Sequence, residues 1–335
     1  MKRVFISILL GVVVLALVGF VAFEVSPWPY ALLIRKAFTE GAEKTSSALE
    51  KHVPEGITAV LNEQYDKNDS DAFLDVYFPT AIEQTQDLLP AIVWVHGGGF
   101  VSGSKEEVAN YCKILASKGY TVVSVNYSIA PEETYPTPVR QTNAALAYLA
   151  QHAQRLHIDA AHFILAGDSA GANIVAQLAN IHHLPSYAAL MNIAPSISGS
   201  QLTGLILFCG PYDIHEDALR GEYGKFLEAM LWAYSGSKNF MNDPDFATIK
   251  IIEYVTDSYP PVFISAGNAD PLLLYSKDMA EALNSHGVQV ETLFFPSDYT
   301  PALPHEYQFN LDTDAGQLAL DRVLTFLSGL DLKPK

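Results

Sequence analysis

One stretch constrains this chain more than any other. The apolar run Phe163-Ile164-Leu165-Ala166 stops at Gly167-Asp168-Ser169-Ala170-Gly171, and a segment rich in Ala, Ile, Val and Leu follows at once. That order reads as strand, sharp turn, helix. So tight a turn wants glycine two residues either side of the serine, and it lifts the hydroxyl clear of the sheet edge. Ser169 is thereby a candidate nucleophile. A serine that merely caps the helix is the competing reading, and the choice depends on whether a base, an acid and anion-stabilising amides lie elsewhere in the chain.

The flanking segments repeat the same rhythm. Residues 58–61 and 72–78 read as strands, and 91–95 (Ala-Ile-Val-Trp-Val) is a short continuous apolar run, the sign of a strand buried on both faces. Helix-like 106–118 ends at Gly119. Strands at 120–125, 163–166, 202–209, 262–266 and 290–295 alternate with helices at 139–152, after Ser169 and around 277–285, while 318–327 is an amphipathic closing helix. Such alternation predicts an α/β fold, with a mostly parallel central sheet and helices on both faces. Active residues then collect beyond the C-terminal strand ends. Between Tyr212 and Pro260 the rhythm breaks, and Phe226, Trp232 and Tyr234 mark a helical insertion over the sheet edge.

Lys2 and Arg3 precede residues 4–23, which carry no charge and only Ser7 as a polar side chain. At about 1.5 Å per residue this spans a hydrocarbon core of about 30 Å. The run exceeds a usual signal-peptide core and no Ala-x-Ala site follows it, so residues 1–24 are expected to be a transmembrane anchor, with a cleaved signal peptide as the alternative. The basic pair should stay cytoplasmic, placing residues 25–335 on the other side of the membrane, or outside the cell if the segment is cleaved. Twenty Lys and Arg against 37 Asp and Glu give a net charge of -17. That balance argues against nucleic acid and anionic lipid, and favours a small uncharged or cationic molecule. Cys112 and Cys209 do not have metal-ligand spacing, so neither a zinc site nor a disulfide framework is expected, and their pairing is left open.

A serine hydroxyl needs an imidazole to take its proton and an acid to orient the ring. His305 lies in a loop just past the last strand, at the edge where Ser169 would stand. His152, His157 and His162 fall at the wrong edge, and His182, His183 and His286 at helix ends, where a histidine complements the dipole. Asp270 follows the 262–266 strand at the same edge as His305, with Asp213 and Asp298 as rivals. Upstream, His96-Gly97-Gly98-Gly99-Phe100 can turn bare amides toward an oxyanion. The chain order Ser169, Asp270, His305 is that of α/β-hydrolases.

With these motifs, and with Asn126-Tyr127-Ser128-Ile129-Ala130-Pro131-Glu132 and Asp270-Pro271-Leu272, most of residues 70–330 resembles the hormone-sensitive-lipase-like esterases of the α/β-hydrolase superfamily. The resemblance implies a serine carboxylesterase using Ser169, Asp270 and His305, with Gly98, Gly99 and Ala170 as oxyanion donors and His96, Gly97, Gly167, Asp168 and Gly171 as the supporting motif. No metal and no cofactor are implied. A helical cap is expected from residues 28–52 and 213–258. Ser128 stands where family members carry arginine, Ala172 where they carry glycine, and residues 141–143 and 273–275 hold none of the family's supporting acids. A small-molecule ester is the expected substrate, with the oligomeric state left open. A surface-glycan deacetylase, an amidase or a lipase would use the same triad, and a ligand-binding protein that has lost its chemistry is the non-enzyme alternative.

Overall fold

The computed structural model describes residues 2–214 and 219–332. Helix α1 (Lys2–Val25) is followed after two residues by α2 (Trp28–Glu50), and β1 (Ile57–Gln64), β2 (Phe73–Pro79) and β3 (Leu89–Val95) come next. The chain continues through α3 (Ala109–Ala116), β4 (Thr121–Val125), α4 (Thr137–Gln151), β5 (Ile158–Asp168) and α5 (Ala170–His183). It closes with α6 (Pro185–Met191), β6 (Leu202–Phe208), α7 (Gly221–Ser235), β7 (Val262–Ala266), α8 (Leu273–Ser285), β8 (Val290–Phe294) and α9 (Asp314–Gly329).

Among the described residues the strands form one sheet in the order β1-β2-β4-β3-β5-β6-β7-β8. β2 runs antiparallel to both β1 and β4, and every pairing from β4 through β8 is parallel. Parallel strands are covered on both faces, and the pleat sorts β3 accordingly. Ala91, Val93 and Val95 join a core with Leu146 of α4 and Ile174 of α5. Ile92 and Trp94 join the opposite core with Tyr111 of α3 and Val323 of α9. The continuous apolar run at 91–95 is explained by this double burial.

Several boundaries differ from the sequence expectation. α3 starts at Ala109 rather than residue 106, because the turn before it is held by buried Lys105, whose Nζ pairs with Asp75 at 3.0 Å. β5 begins five residues early, and α8 starts at Leu273, ahead of the helix expected around 277–285. The described part of the insertion at 213–258, which excludes residues 215–218, contains α7 and 3-10 turns at Phe240–Asn242, Phe246–Ile249 and Ile251–Tyr254.

α1 is long and apolar enough over Val4–Val25 to cross a membrane; its most apolar stretch is not buried, and only its last turn touches the body, through Phe23 against Tyr30 and Glu24 against Lys238. α2 lies instead against the body. Its Phe38 meets Phe226 of α7 edge-on at 5.6 Å. Together they sit over the sheet edge where β3, β5, β6 and β7 end.

Candidate active site

Ser169 follows the last residue of β5 with φ 49 and ψ -118, a left-handed conformation that a side chain adopts only when its surroundings force it. Such a residue stores roughly 1–3 kcal/mol, which the packing around it must hold. Here the Ser169 N–H donates to Phe208 O of β6 at 2.8 Å. Gly171 packs so close to β3 that a Cβ would overlap Val95 O. Ser169 occupies the N-cap position of α5, yet its side chain caps no amide, so the hydroxyl is left for other work.

His305 reaches this edge on the loop after β8, and that loop is tied to the β7–α8 loop. Ala269 N–H donates to Leu303 O at 3.0 Å, and Leu303 N–H donates to Asn268 Oδ1 at 2.8 Å. His305 Nδ1 then lies 2.9 Å from Asp270 Oδ2, while the other Asp270 oxygen accepts from Leu272 N–H at 2.7 Å. Of the three candidate acids, Asp270 is the one paired with His305. Ser169 and His305 line the same two cavities without a hydrogen bond between them. A bond of this kind often forms fully only when substrate is bound.

Burial works against a charged His305, but neighbouring Cys209 and Asp270 outweigh it and hold the imidazole well above its usual range. Burial also pushes the Cys209 thiol up to about 11, so it is uncharged at neutral pH. Asp270 is therefore the charge that supports the imidazolium there. A donor atom of Cys209, Asp270 and His305 lies within 4.8 Å of the other two. That trio is accounted for by the His305–Asp270 pair lying over a small buried thiol.

Gly98 and Gly99 have φ of 101 and 60, which strain any side chain; a Cβ at Gly98 would also overlap the backbone Ser102 O, and one at Gly99 would have to displace the flexible Met230 side chain. Among the described residues, neither N–H donates to an acceptor in the chain. Ala170 opens α5, where the first amides have no intrahelical partner. Gly99, Ala170, Ser169 and His305 line one cavity of about 200 Å³, and Gly98, Ser169 and His305 a second of about 250 Å³.

The supporting motif holds this loop still. Asp168 accepts from Trp94 Nε1 at 2.7 Å and from Gly97 N–H at 2.8 Å, which clamps the serine turn to the glycine loop. Gly167 lies against α5, where a Cβ would overlap the backbone of Gly171. His96 donates from Nδ1 to Gly97 O and stacks on Tyr127 at 4.2 Å, and burial pushes its pKa down to about 4, so it stays neutral. Tyr127 donates to the carbonyls of both His96 and Gly97.

Four site neighbours were not found by sequence reasoning. Glu306 Oε1 lies 3.7 Å from His305 Nε2, and burial together with Glu306 pushes the Asp168 carboxyl well above its usual range. Burial, assisted by Glu306, lifts Glu107 to about 7. Cys209, a buried free thiol just past the end of β6, lies beside His305 and Asp270. Arg35 of α2 donates to Val101 O and Ala130 O and pairs with Glu132 at 2.6 Å, so a guanidinium does reach the loop beyond Ser128, from another element. Ser128 itself donates to Asp71 and accepts from Gln141. Glu306 adjoins a candidate base and could have been noticed, whereas the other three are brought in by tertiary contacts.

A family model described as "alpha/beta hydrolase fold" matches residues 92–305, and one described as "Carboxylesterase family" matches residues 44–131. An acetyl esterase of Salmonella paratyphi B is 24% identical over 321 residues, 90% of each chain. The acetyl esterase of Salmonella typhi is 25% identical over 235 residues, 68% of this chain and 69% of its own. Among solved structures, esterase B from Lactobacillus rhamnosis superposes with a TM-score of 0.75 at 20% identity, covering 90% of this chain and 95% of its own. A thermostable carboxylesterase from a metagenomic library gives 0.70 at 22%, covering 93% and 99%.

Proposed function

The chain belongs to the α/β-hydrolase fold family, among its hormone-sensitive-lipase-like esterases, and on that premise we propose that it is a serine carboxylesterase in which Ser169 is the nucleophile, His305 the general base and Asp270 the group that orients it. One observation carries this reading: His305, paired with Asp270 at 2.9 Å, shares two cavities with a serine held at positive φ beside the unpaired amides of Gly98 and Gly99.

Ser169 Oγ attacks the ester carbonyl carbon as His305 Nε2 takes its proton. The carbonyl oxygen becomes an oxyanion that accepts from the N–H groups of Gly98, Gly99 and Ala170, each worth roughly 3 kcal/mol in the transition state. The alkoxide then leaves with the proton from His305, and an acyl-enzyme remains on Ser169. Water, activated by the same Nε2, attacks the acyl carbon and releases the acid. Throughout, Asp270 keeps the ring proton on Nδ1.

Likeness to acetyl esterases supports a small acyl group, so p-nitrophenyl acetate is the test substrate. Ser169→Ala should lower its turnover by at least about 10⁴-fold, and a fluorophosphonate probe should label the parent chain and not the variant. A variant that kept the parent rate would sink the assignment and leave a binding protein as the better reading.

The uncharged run 4–23, within a helix whose apolar stretch is not buried, supports an uncleaved anchor, with Lys2 and Arg3 on the cytoplasmic side and the hydrolase domain, 25–335, on the other. Within that domain α2 and the 213–258 insertion serve as the cap. Protease treatment of sealed spheroplasts or microsomes checks this, since it should digest the domain only on the non-cytoplasmic side.

A further inference from the structure

We propose that the natural substrate is an uncharged ester whose apolar chain is dissolved in the bilayer, and that it reaches Ser169 sideways through a cavity between the end of α1, α2 and α7. This inference rests on the carboxylesterase and anchor readings above and names the substrate class they serve.

The cavity, of about 380 Å³, has an apolar wall of Phe23, Leu33, Phe226 and Trp232, while Glu24, Lys225, Glu228 and Lys238 also line it, two charges of each sign. Its mouth lies at the end of the apolar span, because only Ser26 and Pro27 separate α1 from α2. The surroundings have the make-up of a membrane–water boundary, where aromatic rings and snorkelling lysines gather. Trp28, Tyr30, Leu32 and Leu33 are exposed on α2. Lys238 lies over the Trp232 ring at 4.9 Å and donates to Glu24 O at 3.0 Å, fastening the last turn of α1 to the body.

Phe226 is the wall shared by the membrane-side space and the cavity holding Ser169, Ala170 and His305, so a turn of this one ring would join them. Among the described residues, that inner cavity is lined by no ionisable side chain but His305 and Tyr223, as suits a hydrocarbon chain. On the far side of Ser169 the described lining includes Glu107, Asp168 and Glu306 and neither lysine nor arginine, so an anionic substrate is disfavoured. Phe38 and Phe226, in edge contact, stand where the spaces meet.

The test uses the full chain in phosphatidylcholine vesicles with two acetate esters that share one acetyl-enzyme: p-nitrophenyl acetate in the buffer and hexadecyl acetate dissolved in the same bilayer. Leu33→Trp and Ala229→Trp narrow the membrane-side cavity away from the catalytic groups, and Leu33 is exposed enough to accept a larger side chain without refolding. Leu33→Trp should leave the rate on p-nitrophenyl acetate within about twofold and cut that on hexadecyl acetate about tenfold or more, with Ala229→Trp doing the same. Equal rates or equal losses on the two esters in Leu33→Trp overturn the proposal, and so does a parent chain that hydrolyses only p-nitrophenyl acetate. If the parent hydrolyses neither, or Ser169→Ala hydrolyses both, it is the esterase reading that fails.

Discussion

Asp270→Asn keeps the side chain's shape and removes its charge, which makes it a sharp probe of the site. His305 Nδ1 lies 2.9 Å from Asp270 Oδ2, with the Asp270 side chain fully buried and 32% of the His305 side chain exposed. Unit charges about 4 Å apart attract by about 4 kcal/mol at an effective dielectric near 20, and the exposure of His305 screens part of that. The imidazole is held well above its usual range in the parent, so the acid limb of kcat/KM should lie above that of a free imidazole and move down in the variant. An asparagine also turns an N–H toward Nδ1, which drives the ring proton to Nε2 and blocks proton transfer from Ser169. The plateau should therefore fall by about 10⁴. The assay is kcat/KM for p-nitrophenyl acetate from about pH 5 to about pH 9, read at the isosbestic wavelength of nitrophenol. A plateau within about tenfold of the parent, or an acid limb that does not move, would refute the idea that Asp270 both orients and charges His305.

Gly99→Ala places a methyl on the sulfur of Met230 and strains a φ of 60, so one oxyanion donor should turn away and kcat for p-nitrophenyl acetate should drop about 10²–10³-fold with KM changed far less. Arg35→Ala strips the Val101 and Ala130 carbonyls and Glu132 of their shared partner, and chemical denaturation should record a loss of about 1–3 kcal/mol together with a raised KM as α2 loosens. Glu107 ionises at about 7 in the fold against an ordinary 4.5. The folded state therefore holds more protons than the unfolded chain between those values, and its contribution to stability is lost as pH rises from about 4.5 to about 7. Glu107→Gln should remove that loss, so its Tm relative to the parent should climb across the same window.

The sequence alone determined whatever depends on neighbouring residues. Apolar runs of strand length alternating with helical segments fix a mostly parallel sheet, because each run must be buried on both faces, as β3 is by Leu146 and Ile174 on one side and Tyr111 and Val323 on the other. Gly167-Asp168-Ser169-Ala170-Gly171 was legible because the turn needs its glycines locally, and His305 because it follows the last strand. Tertiary structure decided the rest. Strand order already favoured Asp270 over Asp213 and Asp298, but the contact that pairs it with His305 comes from the tie between the β7–α8 loop and the His305 loop through Asn268 and Leu303. Arg35 meets Glu132 across 97 residues, and Asp168, Glu107 and Glu306 come to one cavity from three elements. Long-range contacts of this kind leave no periodicity in the chain, because they are fixed by how elements pack and not by how residues are spaced.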